Sequence, residues 1–214
     1  PLWYNSIKIC RIMGDIMINK ILDFGIDFSN KKKIEILRDI FIFFIVFCIC
    51  GWVYEELVFA IEKNMIVNRG ALWGPWLPIY GFGGLIIMIL LFRTKEKKIT
   101  LGKLNLRPLV LYLETVAIST IVELIGSYMI DLNGNFKTLW DYTGDFMNLD
   151  GRIALIADAK FGLISLLGIY FMQPILKKFI SGNQKLVNIT TACIFILFMI
   201  DVIARIWLGN NFVG

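Results

Sequence analysis

Apolar residues in this chain do not alternate with polar ones; they run. Five stretches, roughly 39–61, 77–92, 109–130, 153–176 and 189–208, are nearly continuous in Ile, Leu, Val, Phe, Met and Ala. A helix needs about 20 such residues to cross a hydrocarbon core. Barrel strands are excluded, because they are about 10 residues long and alternate in polarity. The pattern predicts an all-α, polytopic helical membrane protein with about five transmembrane helices, held in a single transmembrane domain over residues 31–214. The second run is short. Residues 73–78, rich in Trp, Gly and Pro, would complete it by entering the membrane as irregular backbone, which persists only where protein or water lines it.

The first 30 residues follow a different rule. Ile9, Ile12, Met13, Ile16, Met17 and Phe24 recur at three- and four-residue spacing, while Lys8, Arg11, Asp15, Asn19 and Asp23 take the opposite face. This spacing predicts an amphipathic N-terminal segment over residues 1–30, lying along the inner membrane surface.

Composition and charge then refine the picture. The 214 residues are 57% hydrophobic and 18% charged, more apolar and less charged than soluble domains at about 45–50% and 25%. Lys and Arg near helix ends stay on the cytoplasmic side. Lys31, Lys32, Lys33 and Arg38 precede the first run, Arg93 to Arg107 carry six bases between the second and third, and Lys177, Lys178 and Lys185 precede the fifth. Residues 131–152 carry Asp131, Asp141, Asp145 and Asp150 against Lys137 and Arg152. The N-terminus is therefore expected in the cytoplasm, with the 131–152 loop and the C-terminus outside. The net charge of +5 reads as topology and attraction to anionic lipid, not as nucleic-acid binding.

Several chemistries are excluded by absence. With no histidine there is no Ser-His triad and no imidazole ligand or proton relay. Cys48 and Cys50 are two apart on a helix and so point in different directions, while Cys10 and Cys193 stand alone. They read as small buried side chains rather than a zinc site or a disulfide framework. No G-x-x-x-x-G-K-[ST] loop is present, so any ATP hydrolysis belongs to another chain. No catalytic residue, cofactor or metal is assigned.

Charge inside the runs is costly in lipid and normally faces a bundle interior, a cavity or a partner. Glu55, Glu56, Glu114, Glu123, Asp158, Lys160, Asp201 and Arg205 are so placed. At 1.5 Å per residue Glu123 lies about 21 Å along its helix, Asp201 at similar depth, and Glu55 and Asp158 also in the outer half. Ser119, Glu123 and Ser127 follow each other at intervals of four, one polar stripe on an apolar helix. Asp201 and Arg205, also four apart, could pair within their helix. The surplus of acids requires either Arg69 and Arg152 reaching in from the outer loops or a cation, proton or cationic substrate.

The outer loops combine turn residues with interfacial aromatics. They are Asn68-Arg69-Gly70-Ala71-Leu72-Trp73-Gly74-Pro75-Trp76-Leu77-Pro78-Ile79-Tyr80-Gly81, Trp140-Asp141-Tyr142 and the stretch from Phe146 to Arg152. A plain aromatic belt explains any single Trp; the clustering of Arg, Asn, Asp and Trp suggests a mouth. The expected outward-facing cavity is lined by Glu55, Arg69, Glu123, Asp141, Asn148, Arg152, Asp158, Asp201 and Arg205.

Gly51-Trp52-x-x-Glu55, the block from Asn68-Arg69-Gly70 to Pro78-Ile79-Tyr80-Gly81, and Trp140-Asp141-Tyr142 with Phe146 and Asn148 to Ile153 resemble the family described as Putative ABC-transporter type IV, or CmpB-like. The resemblance covers roughly residues 41–176. It implies a multi-pass protein of the bacterial plasma membrane, proposed as a permease.

Two function classes follow. One is a permease-like or substrate-binding subunit of a transport system, taking a small molecule or cation and energised by a separate ATPase, another membrane subunit or an ion gradient. The other is a membrane-embedded enzyme at the outer leaflet, using a carboxylate pair as acid and base. A non-catalytic assembly protein, whose charges only specify helix packing in the lipid bilayer, is the simplest alternative.

Overall fold

A computed structural model describes residues 25–28, 30–63, 72–131 and 141–208. The expected amphipathic helix before residue 25, Arg69 and Trp140 lie outside the described residues. Among the described residues, five helices are long and apolar enough to cross a membrane. They are α1 (Lys33–Lys63), α2 (Pro78–Glu96), α3 (Arg107–Asp131), the span Leu155–Ile180 and α6 (Gln184–Leu208). The fourth span consists of α4 (Leu155–Leu167), a π-helical turn (Gly168–Met172) and α5 (Gln173–Ile180). Two small antiparallel hairpins complete the elements of the described residues. Strands β1 (Thr100–Leu101) and β2 (Leu104–Asn105) pair before α3, and β3 (Asn148–Leu149) and β4 (Ile153–Ala154) pair before α4. The protein is an all-α, polytopic membrane protein, as its apolar runs require.

Local sequence sets the helix starts. Lys32 N–H donates to the Glu35 side chain at 2.8 Å, the return half of a capping box. Pro78 opens α2, where its missing N–H has no helical partner to lose. Asn183 Oδ1 accepts from the N–H groups of Lys185 at 3.0 Å and Leu186 at 3.3 Å, a side-chain cap for α6.

Contacts divide the chain into two compact units. The first comprises residues 1–85 and 174–214. Its core gathers Ile45, Cys48, Leu72 and Trp76 with Phe44, Ile194 and Phe198. Phe198 stands edge-on to Trp76 and Phe44, both at 5.9 Å. Glycines let α1 and α2 approach closely: a Cβ at Gly81 would overlap Cys48 and Phe44, and one at Gly51 would overlap the Tyr80 ring. Small residues serve helix association in lipid because water expulsion no longer drives it. Near the start of α1, Asp39 is fully buried between Lys31 at 2.5 Å and Arg38 at 2.7 Å. Arg38 also donates to Gln184 at 3.0 Å and Asn188 at 2.6 Å, tying α1 to α6.

The second unit comprises residues 86–173 and is dominated by α3 against α4. Gly162 of α4 leaves room for Val116 and Tyr112 of α3, which a Cβ there would overlap. The Tyr112 hydroxyl reaches the Ala159 carbonyl at 3.4 Å.

Candidate functional site

In the second unit, α3 brings Glu123 to the face of α4 that carries Asp158. The two residues are 9% and 4% exposed. Asp158 lies within hydrogen-bonding reach of both Thr120 and Glu123. Its Oδ1 has no hydrogen-bond partner among the described residues. The phenol of Tyr142 donates to Glu123 Oε1 at 2.9 Å.

The polar stripe around this pair is otherwise self-contained. Thr115 donates to the Leu111 carbonyl at 2.6 Å, Ser119 to Thr115 at 2.9 Å and Ser127 to Leu124 at 2.7 Å. Each hydroxyl is satisfied by its own helix, the usual solution for Ser and Thr in apolar helices. A carboxylate cannot use it, having no hydrogen to donate.

The loop before α4 gives its polar side chains to its own architecture. Asn148 donates to the carbonyls of Thr143 at 3.2 Å and Asp145 at 2.9 Å, and accepts from Gly151 N–H at 3.1 Å. Asp141 accepts from the backbone N–H of Thr143 at 3.0 Å and from its hydroxyl. Gly151 has φ +70°, and a Cβ there would overlap Thr143 and Asp141, so glycine is required twice over. The loop thereby fixes Tyr142, whose N–H meets the Gly151 carbonyl at 2.9 Å. Phe146 and Met147, each 68% exposed, project from it. Arg152 pairs with Asp131 and lies 4.2 Å from the Tyr128 ring centroid.

The first unit holds the other expected residues. Glu55 accepts from the Tyr80 hydroxyl at 2.5 Å. Asp201 of α6 accepts from the backbone N–H groups of Trp73 at 3.1 Å and Gly74 at 2.7 Å. Its carboxylate thus anchors the irregular segment that leads into α2. Leu77 N–H is met by the Cys48 carbonyl at 3.2 Å, and Leu72, Trp76 and Leu77 are buried. Irregular backbone in an apolar setting needs such partners. Arg205 lies one turn beyond Asp201 and is partly buried. A cleft of about 420 Å³ in this unit is lined by Asp27, Lys31, Glu35, Arg38, Lys177 and Gln184 among others, not by Glu55 or Asp201.

Of the residues expected to line a cavity, Glu123 and Asp158 come together, Asp141 and Asn148 build the loop beside them, and Glu55 and Asp201 have separate partners in the first unit. Sequence reasoning missed the donors, Tyr142 and Tyr80, because each reads equally well as an interfacial aromatic. It also missed Thr120, one residue outside the stripe at intervals of four. Among the described residues, no group of three or more His, Cys, Asp or Glu side chains is arranged to hold a metal.

Five membrane-length helices that carry buried carboxylates define a polytopic helical membrane protein. The chain belongs to the family described as Putative ABC-transporter type IV, whose sequence model matches residues 42–206. It is an ABC-transporter-related multi-pass membrane protein. No curated protein and no solved structure matches it.

Proposed function

We propose that this protein is a permease-like or substrate-binding subunit of a bacterial transport system, and that Glu123 and Asp158 bind the cationic part of its cargo or a coupling cation. The supporting observation is the buried meeting of these two carboxyl groups, with Asp158 Oδ1 lacking a hydrogen-bond partner among the described residues. Two carboxylates offer only acceptors, so a proton, cation or donor between them relieves both repulsion and desolvation. Ionisable groups inside membrane spans mark ion and substrate routes for this reason. Tyr142 holds Glu123 from one side and leaves Asp158 to the cargo. The loop that carries Tyr142 is read as lying on the outer face, and the basic segment from Arg93 to Arg107 as facing the cytoplasm, where a separate ATPase or other membrane subunit would dock.

The test is purification from the native membrane with any associated ATPase, followed by uptake in reconstituted vesicles. Asp158→Asn and Glu123→Gln are expected to remove uptake while leaving membrane insertion and helix content unchanged. Uptake at the wild-type rate in both variants overturns the reading.

A further inference from the structure

The second unit contains another polar cluster, away from the carboxyl pair, where the end of α2, the start of α3 and the π-helical turn meet. Lys95 donates to Gln173 at 2.9 Å and lies 5.0 Å from the Phe92 ring centroid and 5.9 Å from that of Tyr170. Gln173 is 2% exposed. The Arg107 guanidinium is close enough to Tyr170 to act on it electrostatically. Tyr170 is therefore flanked by two cations.

What distinguishes the cluster is its unused donors. Arg107 Nε and the Tyr170 hydroxyl are both buried and have no hydrogen-bond partner among the described residues. Leaving a buried donor unmatched is costly, and more so for a charged group. Both lack the same thing, an acceptor, and both belong to a place already rich in positive charge. The nearest carboxylate along α3, Glu114, is turned toward Thr94 at 3.4 Å and lies two turns, about 10 Å, further along the helix. Tyr170 sits in the π turn itself, where Gln173 N–H bonds to the Gly168 carbonyl five residues back. Such turns interrupt a helix at some energetic cost and occur often at functional sites.

We propose that Arg107, Tyr170 and Lys95 form a binding site for a phosphate group. Arginine offers a phosphate fixed, directional donors, and the tyrosine hydroxyl adds a third direction. Basic pockets between membrane helices recognise lipid headgroups by this chemistry, and Lys95 and Arg107 stand at the ends of membrane-length helices. Inorganic phosphate would satisfy the same donors, so the two sources must be separated by experiment.

Purified, delipidated protein is titrated in native mass spectrometry with dioleoylphosphatidylglycerol, with inorganic phosphate and with dioleoylglycerol, which has the acyl chains but no phosphate. The expected result is retention of phosphatidylglycerol over dioleoylglycerol by at least about tenfold, with that preference lost in Arg107→Gln and reduced several-fold in Tyr170→Phe. Retention of inorganic phosphate, lost in the same variants, also supports the site and identifies a free anion as its occupant. If Arg107→Gln does not fold, Tyr170→Phe decides, since it removes one oxygen and little packing. Equal retention of phosphatidylglycerol and dioleoylglycerol without phosphate binding, no binding at all, or wild-type binding by both variants overturns the proposal.

Discussion

Tyr142 donates its phenolic hydrogen to Glu123 across 2.9 Å, joining a loop to the middle of a membrane-length helix 19 residues earlier in the chain. The bond couples the folding of the loop to the position of a buried acid. Removing the hydroxyl in Tyr142→Phe is expected to cost about 1.5–3 kcal/mol, the range for a hydrogen bond to a charged group. Denaturant titration in detergent measures this. An unchanged midpoint would show that Tyr142 does not hold Glu123.

Asp158→Asn should behave differently. The amide provides the hydrogens that two facing carboxylates lack, so stability should stay within about 1 kcal/mol of wild type or rise, while Asp158→Leu removes the polar partner of Thr120. Thermal unfolding of the two variants side by side tests this. A loss above about 2 kcal/mol in Asp158→Asn sinks the account given for the pair.

Asp201 carries a structural load that an alanine cannot replace. In Asp201→Ala the N–H groups of Trp73 and Gly74 lose their acceptor, at about 1–3 kcal/mol each where buried. Limited proteolysis should then cut residues 72–77 faster than in wild type. Asp201→Asn keeps one acceptor oxygen and is expected to fall between. Equal cutting in all three proteins is the contrary result.

Gly81→Ala tests the close approach of α1 and α2. The added methyl meets Cys48 and Phe44, and overpacking of this kind costs about 1–3 kcal/mol. Gly83→Ala, on the same helix, meets nothing and is expected to be neutral or slightly stabilising. Thermal midpoints that shift equally for both would remove the packing argument.

How far the sequence reveals this arrangement depends on the scale of the question. The five spans are legible because membrane crossing imposes a length on an apolar run, and α1, α3 and α6 extend beyond the expected boundaries by ends that carry charged and polar residues, such as Lys33, Arg107 and Gln184. The second run looks short because α2 reaches membrane length by continuing through Arg93 to Glu96, and the irregular backbone of residues 72–77 precedes it. Partnerships were not. Spacing of four suggested Arg205 for Asp201, yet the Asp201 carboxylate accepts from backbone donors 127 and 128 residues away, since spacing assigns a face and not what stands opposite it. Glu123 and Asp158 are both visible in the sequence as embedded acids, while their contact rests on the close approach of α3 and α4 at Gly162, Tyr112 and Val116. Asp39, at the edge of the first run, carries no sign in the sequence of its burial between Lys31 and Arg38. The π-helical turn has no marker in Gly168-Ile169-Tyr170-Phe171-Met172.

The loop that presents Phe146 and Met147 also bears on recognition. With Asn148 engaged at both ends of its amide and Asp141 tied to Thr143, the two exposed side chains stand on a backbone that is already braced. A surface that receives them meets a preformed knob, so little chain entropy is lost in the encounter and more of the contact energy is retained as affinity.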